Sequence, residues 1–231
     1  MARRDIKEAR KDNIIDAALQ VFTEKGYANA TMTDIAKKAG VSTPVLYGYF
    51  KTKEDLLFTI PEKLSEEPVR TLDVALPYFR GPEAKIRFIV QGYITLYENN
   101  PLYASLVMLE LKTNRKFLKT KAYVTIQKVA RTLLESIREG INDGTFKDQT
   151  DAFLVRSMIL GTIEHLCINK ILLGEPKDLQ VYVDPLVDTI LEGIKKPSKH
   201  FSINLSINNL EIADIPAGDN REDKQDKEEP A

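Results

Sequence analysis

Apolar residues recur three and four positions apart over most of this chain, which is the periodicity of amphipathic α-helices. Four such segments occupy the amino-terminal part, at about 6–25, 32–39 and 43–50, and from residue 54 onward. Gly26 stands at the end of the first segment and Gly40 at the end of the second. Because glycine accepts the left-handed conformation that often ends a helix, both positions predict turns between helices.

The middle of the chain continues the same periodicity, with proline, glycine and asparagine between the segments. Further helices are predicted at 82–99, from Pro101 onward, at about 117–142, at 150–173 and at 178–194. Pro61 and Pro68 fall inside the fourth helix, and we expect them to kink or divide it because proline lacks a backbone donor. Residues 54–196 show no β-type alternation, so the predicted fold class is all-α.

The pattern changes after the last of these helices. Phe201, Ile203, Leu205 and Ile207 alternate with polar residues, which is the period-two pattern of a β-strand. Since a single strand needs a partner, our hypothesis is that this one pairs with its copy in a dimer or lies against the helical domain. From Gly218 onward the chain is charged and lacks large apolar residues, a composition typical of disorder.

The second and third segments are arranged like the two helices of a helix-turn-helix. Thr31 and Asp34 have the spacing of a capping box at the start of the first of these helices. Gly40 ends that helix, and Ser42 is predicted to cap the next one. Pro44 falls in the first turn, where the missing N–H is tolerated. These local signals predict two short helices joined by a tight turn.

The second of these short helices has a predicted inner and outer side. Leu46 and Phe50, four residues apart, are expected to face the core, which leaves Thr43, Tyr47 and Tyr49 on the outward side. A second helix with polar and aromatic residues on its free side can enter the major groove of DNA.

Basic charge is concentrated at the amino end, although the whole chain has a formal net charge of −1. Residues 1–53 hold ten Lys or Arg and six Asp or Glu, whereas residues 197–231 hold four and eight. A phosphate-binding surface needs such an asymmetry, but an ordinary solvated basic face would also show it. The basic residues between Arg3 and Lys11 can therefore serve either solubility or DNA contact.

The single cysteine, Cys167, excludes a disulfide framework within the chain and suits a reducing compartment. The first eleven residues are charged throughout and do not resemble a secretory signal, and apolar runs stay shorter than the ~18 residues that span a bilayer. We therefore expect a soluble, cytoplasmic protein that does not interact with a membrane.

The runs IIDAALQVFTEKGY at 14–27, TMTDIAKKAGVS at 31–42 and LYGYFKTKEDLL at 46–57 resemble the DNA-binding domain of the tetracycline-repressor (TetR) family. The resemblance implies a phosphate-contacting aromatic at Tyr47 and a phosphate-contacting lysine at Lys53, with base-reading or backbone-reading positions around them. The DNA-binding residues predicted in this way are Thr31, Thr33, Ser42, Thr43, Pro44, Val45, Tyr47, Tyr49, Lys51 and Lys53.

The resemblance also implies a division of the chain. Residues 1–53 form the three-helix DNA-binding domain, residues 54–196 form a helical domain for effector binding and dimerisation, and residues 197–231 form an extension. In the family the last two helices make a four-helix interface with a second copy, so that two recognition helices read a palindromic operator. The predicted interface residues are Met158, Leu166, Leu186 and Ile190.

A small hydrophobic effector is the partner that the resemblance implies for the second domain. The runs ELKTNRKFLKT at 110–120 and EGINDGTF at 139–146 are similar to a subgroup that responds to fatty acyl-CoA, with cations at Lys112, Arg115, Lys116 and Lys119 for its phosphates. Ordinary core packing and a solvated basic loop are the alternatives. The predicted effector-binding residues are Tyr93, Tyr97, Tyr103, Leu106, Leu109, Arg115, Phe117, Tyr123 and Ile126.

The expected function is a ligand-responsive transcriptional regulator, with repression as the usual family mode, and the alternative is a helical protein-interaction module. An enzyme fits poorly, because His165 and Cys167 are two apart on one helix, where side chains diverge. We expect both to pack in the core. With only His200 besides, the chain offers no catalytic triad and no metal cluster, and it also lacks a phosphate-binding glycine loop. No catalytic residue, metal or cofactor is expected.

Overall fold

The computed structural model describes residues 2–196, 200–206 and 209–215, with side chains for residues 6–196. Helices account for nearly all of the first of these ranges. Their bounds are α1 Ala2–Asn29, α2 Met32–Lys38, α3 Thr43–Tyr49, α4 Lys53–Ala75, α5 Pro82–Asn99, α6 Pro101–Ser105, α7 Lys121–Asn142, α8 Ala152–Leu173 and α9 Val183–Ile194. The predicted all-α class is confirmed for this part of the chain.

The turn signals at the amino end have the predicted effects. Gly26 has a φ of 73° and interrupts α1, so that the long regular segment stops there as expected, although α1 begins earlier than residue 6. Thr31 and Asp34 form the predicted capping box at the start of α2. Gly40 then adopts a φ of 66°, and the N–H of Val41 donates to the carbonyl of Ala36. Ser42 occupies the cap position of α3, but its side chain makes no capping hydrogen bond.

Pro61 and Pro68 were expected to kink or divide the fourth helix, and they do not divide it. The helix α4 is continuous from Lys53 to Ala75 with both prolines inside it. Pro61 and Pro68 are seven positions apart, which is close to two full turns, so the two missing N–H donors lie on the same side of the helix. Packing against α7 holds that helix together even though two hydrogen bonds are missing.

The second half of the helical region departs from the sequence prediction at two places. After α6 the backbone widens into a single π-helical segment, Leu106–Leu111, which we call the π turn. The long helix predicted from Phe117 begins only at Lys121, because a short 3₁₀ turn over Phe117–Lys119 precedes it and Thr120 caps α7.

Residues 2–194 pack as one unit around a continuous apolar core that runs from Ile14 in α1 to Leu191 in α9. The helix α7 lies at its centre, in contact with α4, α5 and α8. The predicted domain boundary after residue 53 coincides with the first residue of α4, which therefore extends from the head formed by α1–α3 into the rest of the helical unit. The boundary itself stays a prediction.

The carboxy-terminal extension contains a separate hairpin. Its strands β1, His200–Ser206, and β2, Asn209–Ile215, are antiparallel, with Ile203 opposite Ile212 and Leu205 opposite Leu210. The strand β1 coincides with the strand predicted from the alternation. Its partner is the next segment of the same chain, which the sequence analysis did not foresee. The tail from Gly218, expected to be disordered, lies outside the described residues.

Candidate nucleic-acid interface and effector pocket

The recognition helix α3 is anchored through one side and free on the other. Leu46 and Phe50 are buried, as predicted, whereas Tyr47 is 50% exposed and Val45 is 37% exposed. Pro44 is exposed as well, so the first two turns present a mixed apolar and polar surface to the solvent. A surface of this kind can contact thymine methyl groups, base edges and phosphates.

The remaining predicted DNA-binding residues near α3 differ in their exposure. Ser42 and Lys51 are exposed on either side of the helix, and Thr43 is half-buried. Tyr49 was expected to face outward, but it is half-buried and packs against the core. The reason is its position: Tyr49 lies three residues after Leu46, which places the two on neighbouring sides of the helix. Tyr47 is therefore the aromatic ring that is free for a partner.

The start of α2 is held by a charged cluster. The carboxylate of Asp34 accepts from the backbone N–H and the hydroxyl of Thr31, at 3.1 and 2.7 Å, and from the ammonium of Lys25 at 2.7 Å. These hydrogen bonds, that from Lys25 first, lower the pKa of Asp34 to about 2. The Thr31 side chain is thus occupied by the cap, whereas Thr33, two residues on, is exposed.

The side chain of Lys53 is hydrogen-bonded within the protein and does not extend freely into the solvent. Its ammonium donates to the carbonyls of Tyr27 at 2.6 Å, Ala28 at 3.3 Å and Ala30 at 2.8 Å, and lies 4.5 Å from the centre of the Tyr27 ring. These carbonyls belong to the last turn of α1 and to Ala30 just after it, where a helix end leaves acceptors without partners. Lys53 therefore ties the start of α4 to the end of α1, and its contact with phosphate stays a prediction.

A largely apolar cavity of about 440 Å³ lies between α4, α5 and α7. Its wall combines the side chains of Leu72, Phe88 and Leu96 with the backbone of Gly92. The other lining residues are Glu67, Pro68, Thr71, Ile89, Gln91, Tyr93, Thr95, Asn99, Asn100 and Val129. Of the nine predicted effector-binding residues only Tyr93 belongs to this wall. The contribution of α4 was missed, because its apolar residues look like ordinary core positions in the sequence.

Half of the other eight predicted effector-binding residues fill the core. Tyr103 is 1% exposed, and its hydroxyl is 2.9 Å from that of Ser65, while burial raises its pKa to about 12. The ring of Tyr97 lies between those of Tyr93 and Tyr103, at centroid distances of 6.1 and 6.3 Å. Phe117 is equally buried. The structure therefore joins three of the predicted aromatics in one row, and Tyr93 alone connects that row to the cavity.

The last members of the predicted set lie elsewhere. Leu106 is buried in the π turn, whereas Leu109 and Arg115 are exposed. Tyr123 and Ile126 are half-buried on α7. Tyr123 contacts Phe117, with centroids 5.8 Å apart, and lines a second, more polar cavity of about 420 Å³ between α7 and α8. The nine residues do not form one cavity, and their assignment stays a prediction.

Two of the four cations proposed for a phosphate group have carboxylate partners. Lys112 pairs with Glu164 on α8, and Lys116 pairs with Glu54 on α4 at 3.1 Å. Lys119 is exposed, with no ion pair within residues 6–196. The bond from Lys116 links the loop after the π turn to the first turn of α4.

The predicted dimer face is only partly free. Met158 is 51% exposed on α8, next to Leu154 at 56%, whereas Ile190 is 8% exposed and belongs to the core of a single chain. Leu166 and Leu186 are half-buried. A strongly apolar helix gives no sequence signal for which of its apolar sides is inner, and the assignment of all four residues to a dimer interface stays a prediction.

The two residues weighed for catalysis are separated as expected. Cys167 is buried, and burial raises its pKa to about 12, so that the thiol stays protonated. His165 was expected in the core, but it is exposed and shares a hydrogen bond of 3.1 Å with Asn169. Among the described residues no group of three His, Cys, Asp or Glu is arranged to hold a metal ion, and no helix has the length and hydropathy of a membrane span.

The sequence matches two families along almost the whole helical unit. Residues 14–60 match the bacterial regulatory proteins of the tetR family, and residues 62–193 match the YsiA-like protein C-terminal region. The chain belongs to the tetR family of bacterial regulatory proteins. It is accordingly a transcriptional regulator with an amino-terminal helix-turn-helix, as the resemblance implied.

Relatives of known function extend the match to both domains together. The fatty acid metabolism regulator protein of Bacillus subtilis is 27% identical over 81% of this chain and 97% of its own length. The structure of FadR from Bacillus subtilis in complex with stearoyl-CoA superposes with a TM-score of 0.72, at 26% identity, and covers 80% of this chain and 99% of that one. The fatty acid degradation regulator FadR from Bacillus halodurans gives a TM-score of 0.72, at 30% identity, covering 80% and 95%.

Proposed function

We propose that this protein is a repressor that binds a palindromic operator as a dimer and is released from it by a long-chain fatty acyl-CoA. The observation that carries the effector class is the match, over both domains, to a regulator whose structure holds stearoyl-CoA. The exposed side of α3, with Tyr47 at its centre, is the surface for the DNA. Such a protein acts on chromosomal DNA in the cytoplasm and needs no catalytic group.

The cavity between α4, α5 and α7 is the proposed site of the acyl chain. Its volume of about 440 Å³ falls in the range of small-molecule sites, about 300–1,000 Å³, and its wall is mainly apolar. Pro68, Thr71 and Leu72 bring α4 into this wall, while the same helix begins at Lys53 in the head. An effector that changes the position of α4 therefore acts on both ends of one helix of about 35 Å.

The dimer is proposed to form through α8 and α9. One side of α8 exposes the apolar side chains of Leu154, Met158 and Leu172, and clustered exposed apolar residues often mark a protein–protein interface. Symmetric pairing of this side with its copy would bury it and would fix the distance between the two α3 helices.

Arg115 and Lys119, both exposed near the π turn, are available for the phosphates of the effector.

The proposal is tested by measuring binding to DNA from the protein's own promoter region at two salt concentrations, with stearoyl-CoA, free stearate or CoA added. Specific binding that weakens steeply with salt is expected for a phosphate-contacting dimer. Stearoyl-CoA should release the DNA, whereas CoA without an acyl chain should not. Release by none of the three compounds would refute the effector class, and absence of any preferred duplex would refute the operator.

A further inference from the structure

The π turn carries a carboxylate that is hydrogen-bonded to the head. The turn is defined by its wider hydrogen bond, in which the N–H of Lys112 donates to the carbonyl of Val107 at 3.1 Å. Four of its six side chains are buried in the core, those of Leu106, Val107, Met108 and Leu111. The π conformation is rare and is found mostly where a helix carries a functional site.

Glu110 is the residue that the π turn directs at the head. Its Oε1 accepts from the backbone N–H of Tyr27 at 3.3 Å, and both residues are half-buried. This N–H is free because Gly26, with a φ of 73°, interrupts α1 just before it. A side chain at position 26 would also meet the same carboxylate oxygen, since a Cβ there would lie 3.9 Å from it.

Tyr27 is also bound to Lys53, the first residue of α4. Its carbonyl accepts from the ammonium of Lys53, and its ring stacks beneath the same ammonium and contacts the ring of Phe22 at 5.5 Å. Glu110, Tyr27 and Lys53 therefore form a continuous chain of contacts from the π turn, through the end of α1, to the first residue of α4. Burial, together with the charges of Glu54 and Glu110, raises the pKa of Tyr27.

The register of the π turn decides whether this chain of contacts exists. A π turn contains one residue more per turn than an α-helix, so a change to α geometry would rotate the residues on one side of it by about 100° relative to the other. Since Glu110 lies inside the turn, such a rotation would remove its carboxylate from Tyr27. A packed element with two discrete registers is the kind of device that converts a small change in a cavity into a movement of a domain.

From these contacts we infer that Glu110 is the positioning residue through which the effector domain sets the position of the DNA-binding head, by its hydrogen bond to the N–H of Tyr27. This inference rests on the proposed function, because it assigns a route between the effector cavity and the DNA surface. The bond is made in only one of the two states of the regulator, so it contributes to the free energy that couples effector binding to DNA binding.

The test compares Glu110→Ala, Glu110→Gln and the control Glu135→Ala. Glu135 is exposed on α7 and makes no hydrogen bond or ion pair within residues 6–196, so its replacement removes a carboxylate that has no bonded partner there. Promoter-DNA affinity is measured by fluorescence anisotropy with and without stearoyl-CoA. In Glu110→Ala the factor by which stearoyl-CoA lowers DNA affinity should be about tenfold smaller than in the parent, which corresponds to about 1.4 kcal/mol of coupling free energy.

The glutamine variant distinguishes positioning from mere structural support. Its amide oxygen can still accept from the N–H of Tyr27, but without the charge that makes such a bond about twice as strong. It should therefore keep about half of the coupling free energy, and Glu135→Ala should keep all of it. Stearoyl-CoA should still bind to every variant in calorimetry, because neither position 110 nor position 135 lines the cavity. Equal coupling in Glu110→Ala and the parent would overturn the inference.

Amide hydrogen exchange keeps the inference separate from the choice of effector. Without any ligand, peptides covering residues 26–30 should exchange about tenfold faster in Glu110→Ala than in the parent, and at the parent rate in Glu135→Ala. If stearoyl-CoA does not affect DNA binding by the parent, the proposed effector is refuted. The hydrogen-exchange comparison between Glu110→Ala and the parent then tests the role of Glu110 on its own. Unchanged exchange in Glu110→Ala would then show that the carboxylate does not hold the head.

Discussion

Replacing Lys53 by alanine separates two roles that sequence and structure give to the same ammonium. The family resemblance implies a phosphate contact, whereas the structure gives it three carbonyl acceptors between 2.6 and 3.3 Å and a ring at 4.5 Å. Hydrogen bonds that involve a charged group contribute about 1.5–3 kcal/mol, and the half-exposed position of Lys53 reduces this through solvent screening. We expect Lys53→Ala to lower the free energy of unfolding by about 2 kcal/mol.

The fall in stability is measured by thermal unfolding at fixed protein concentration. For a helical unit of this size a decrease of about 2 kcal/mol lowers the melting temperature by roughly 4–8 °C. The second measurement is the dependence of DNA affinity on salt, whose logarithmic slope falls by about 0.9 for each phosphate that the protein no longer neutralises, or about 1.8 for a dimer. If Lys53 only holds the α1–α2 connection, the slope stays unchanged while the melting temperature falls.

Lys51→Ala is the matched control. Lys51 is exposed, two residues away, and makes no hydrogen bond or ion pair within residues 6–196. Its removal should leave the melting temperature within about 1 °C and reduce the salt slope, as expected of a cation whose partner is the DNA. A Lys53→Ala variant as stable as the parent but with a reduced slope would refute the structural role derived from the carbonyl contacts.

Three further predictions concern other parts of the molecule. Tyr47→Ala should weaken binding to all duplexes about equally without lowering the melting temperature, because the ring is half exposed and free; competition with random DNA measures this. Gly92→Leu should fill the acyl cavity and reduce stearoyl-CoA affinity at least tenfold in calorimetry, whereas Gly92→Ala, whose Cβ meets no atom within 4 Å, should not. Asp34 has a pKa lowered to about 2, so its stabilising effect is complete above pH 4 and is lost as the pH falls towards 2; urea unfolding of Asp34→Asn should therefore show a weaker fall over that range than the parent.

Local signals were sufficient for the head of the molecule. Thr31, Gly40 and Pro44 act within one turn of their own position, so their sequence context fixes what they do. The same reasoning could have found the capping box of Thr52 and Asp55 at the start of α4, since its spacing is that of Thr31 and Asp34. That second box was overlooked, although its signal is present in the printed sequence.

The same reasoning from local sequence signals could not locate the effector site. Tyr93, Tyr97 and Tyr103 share a helical spacing whether they line a cavity or fill a core, and only the packing of three helices decides which of them does so. The partners of Lys53 and Glu110 lie 23–26 and 83 residues away along the chain. Contacts of such sequence separation leave no periodic pattern, and for the same reason the π turn has no signature in its composition.

The position of the cavity relative to the head limits how an effector can act. An acyl chain can lower DNA affinity only to the extent that it binds the DNA-free conformation more tightly than the DNA-bound one. The cavity wall contains α4 but none of the residues of α2 or α3, so the recognition helix itself need not change its shape. In the proposed mechanism the direction of the head changes, because α4 carries the head at one end and Glu110 of the π turn is hydrogen-bonded to it. Since a palindromic operator fixes the distance between two recognition helices, a small rotation of each head on a rigid dimer is sufficient to remove one half-site from register.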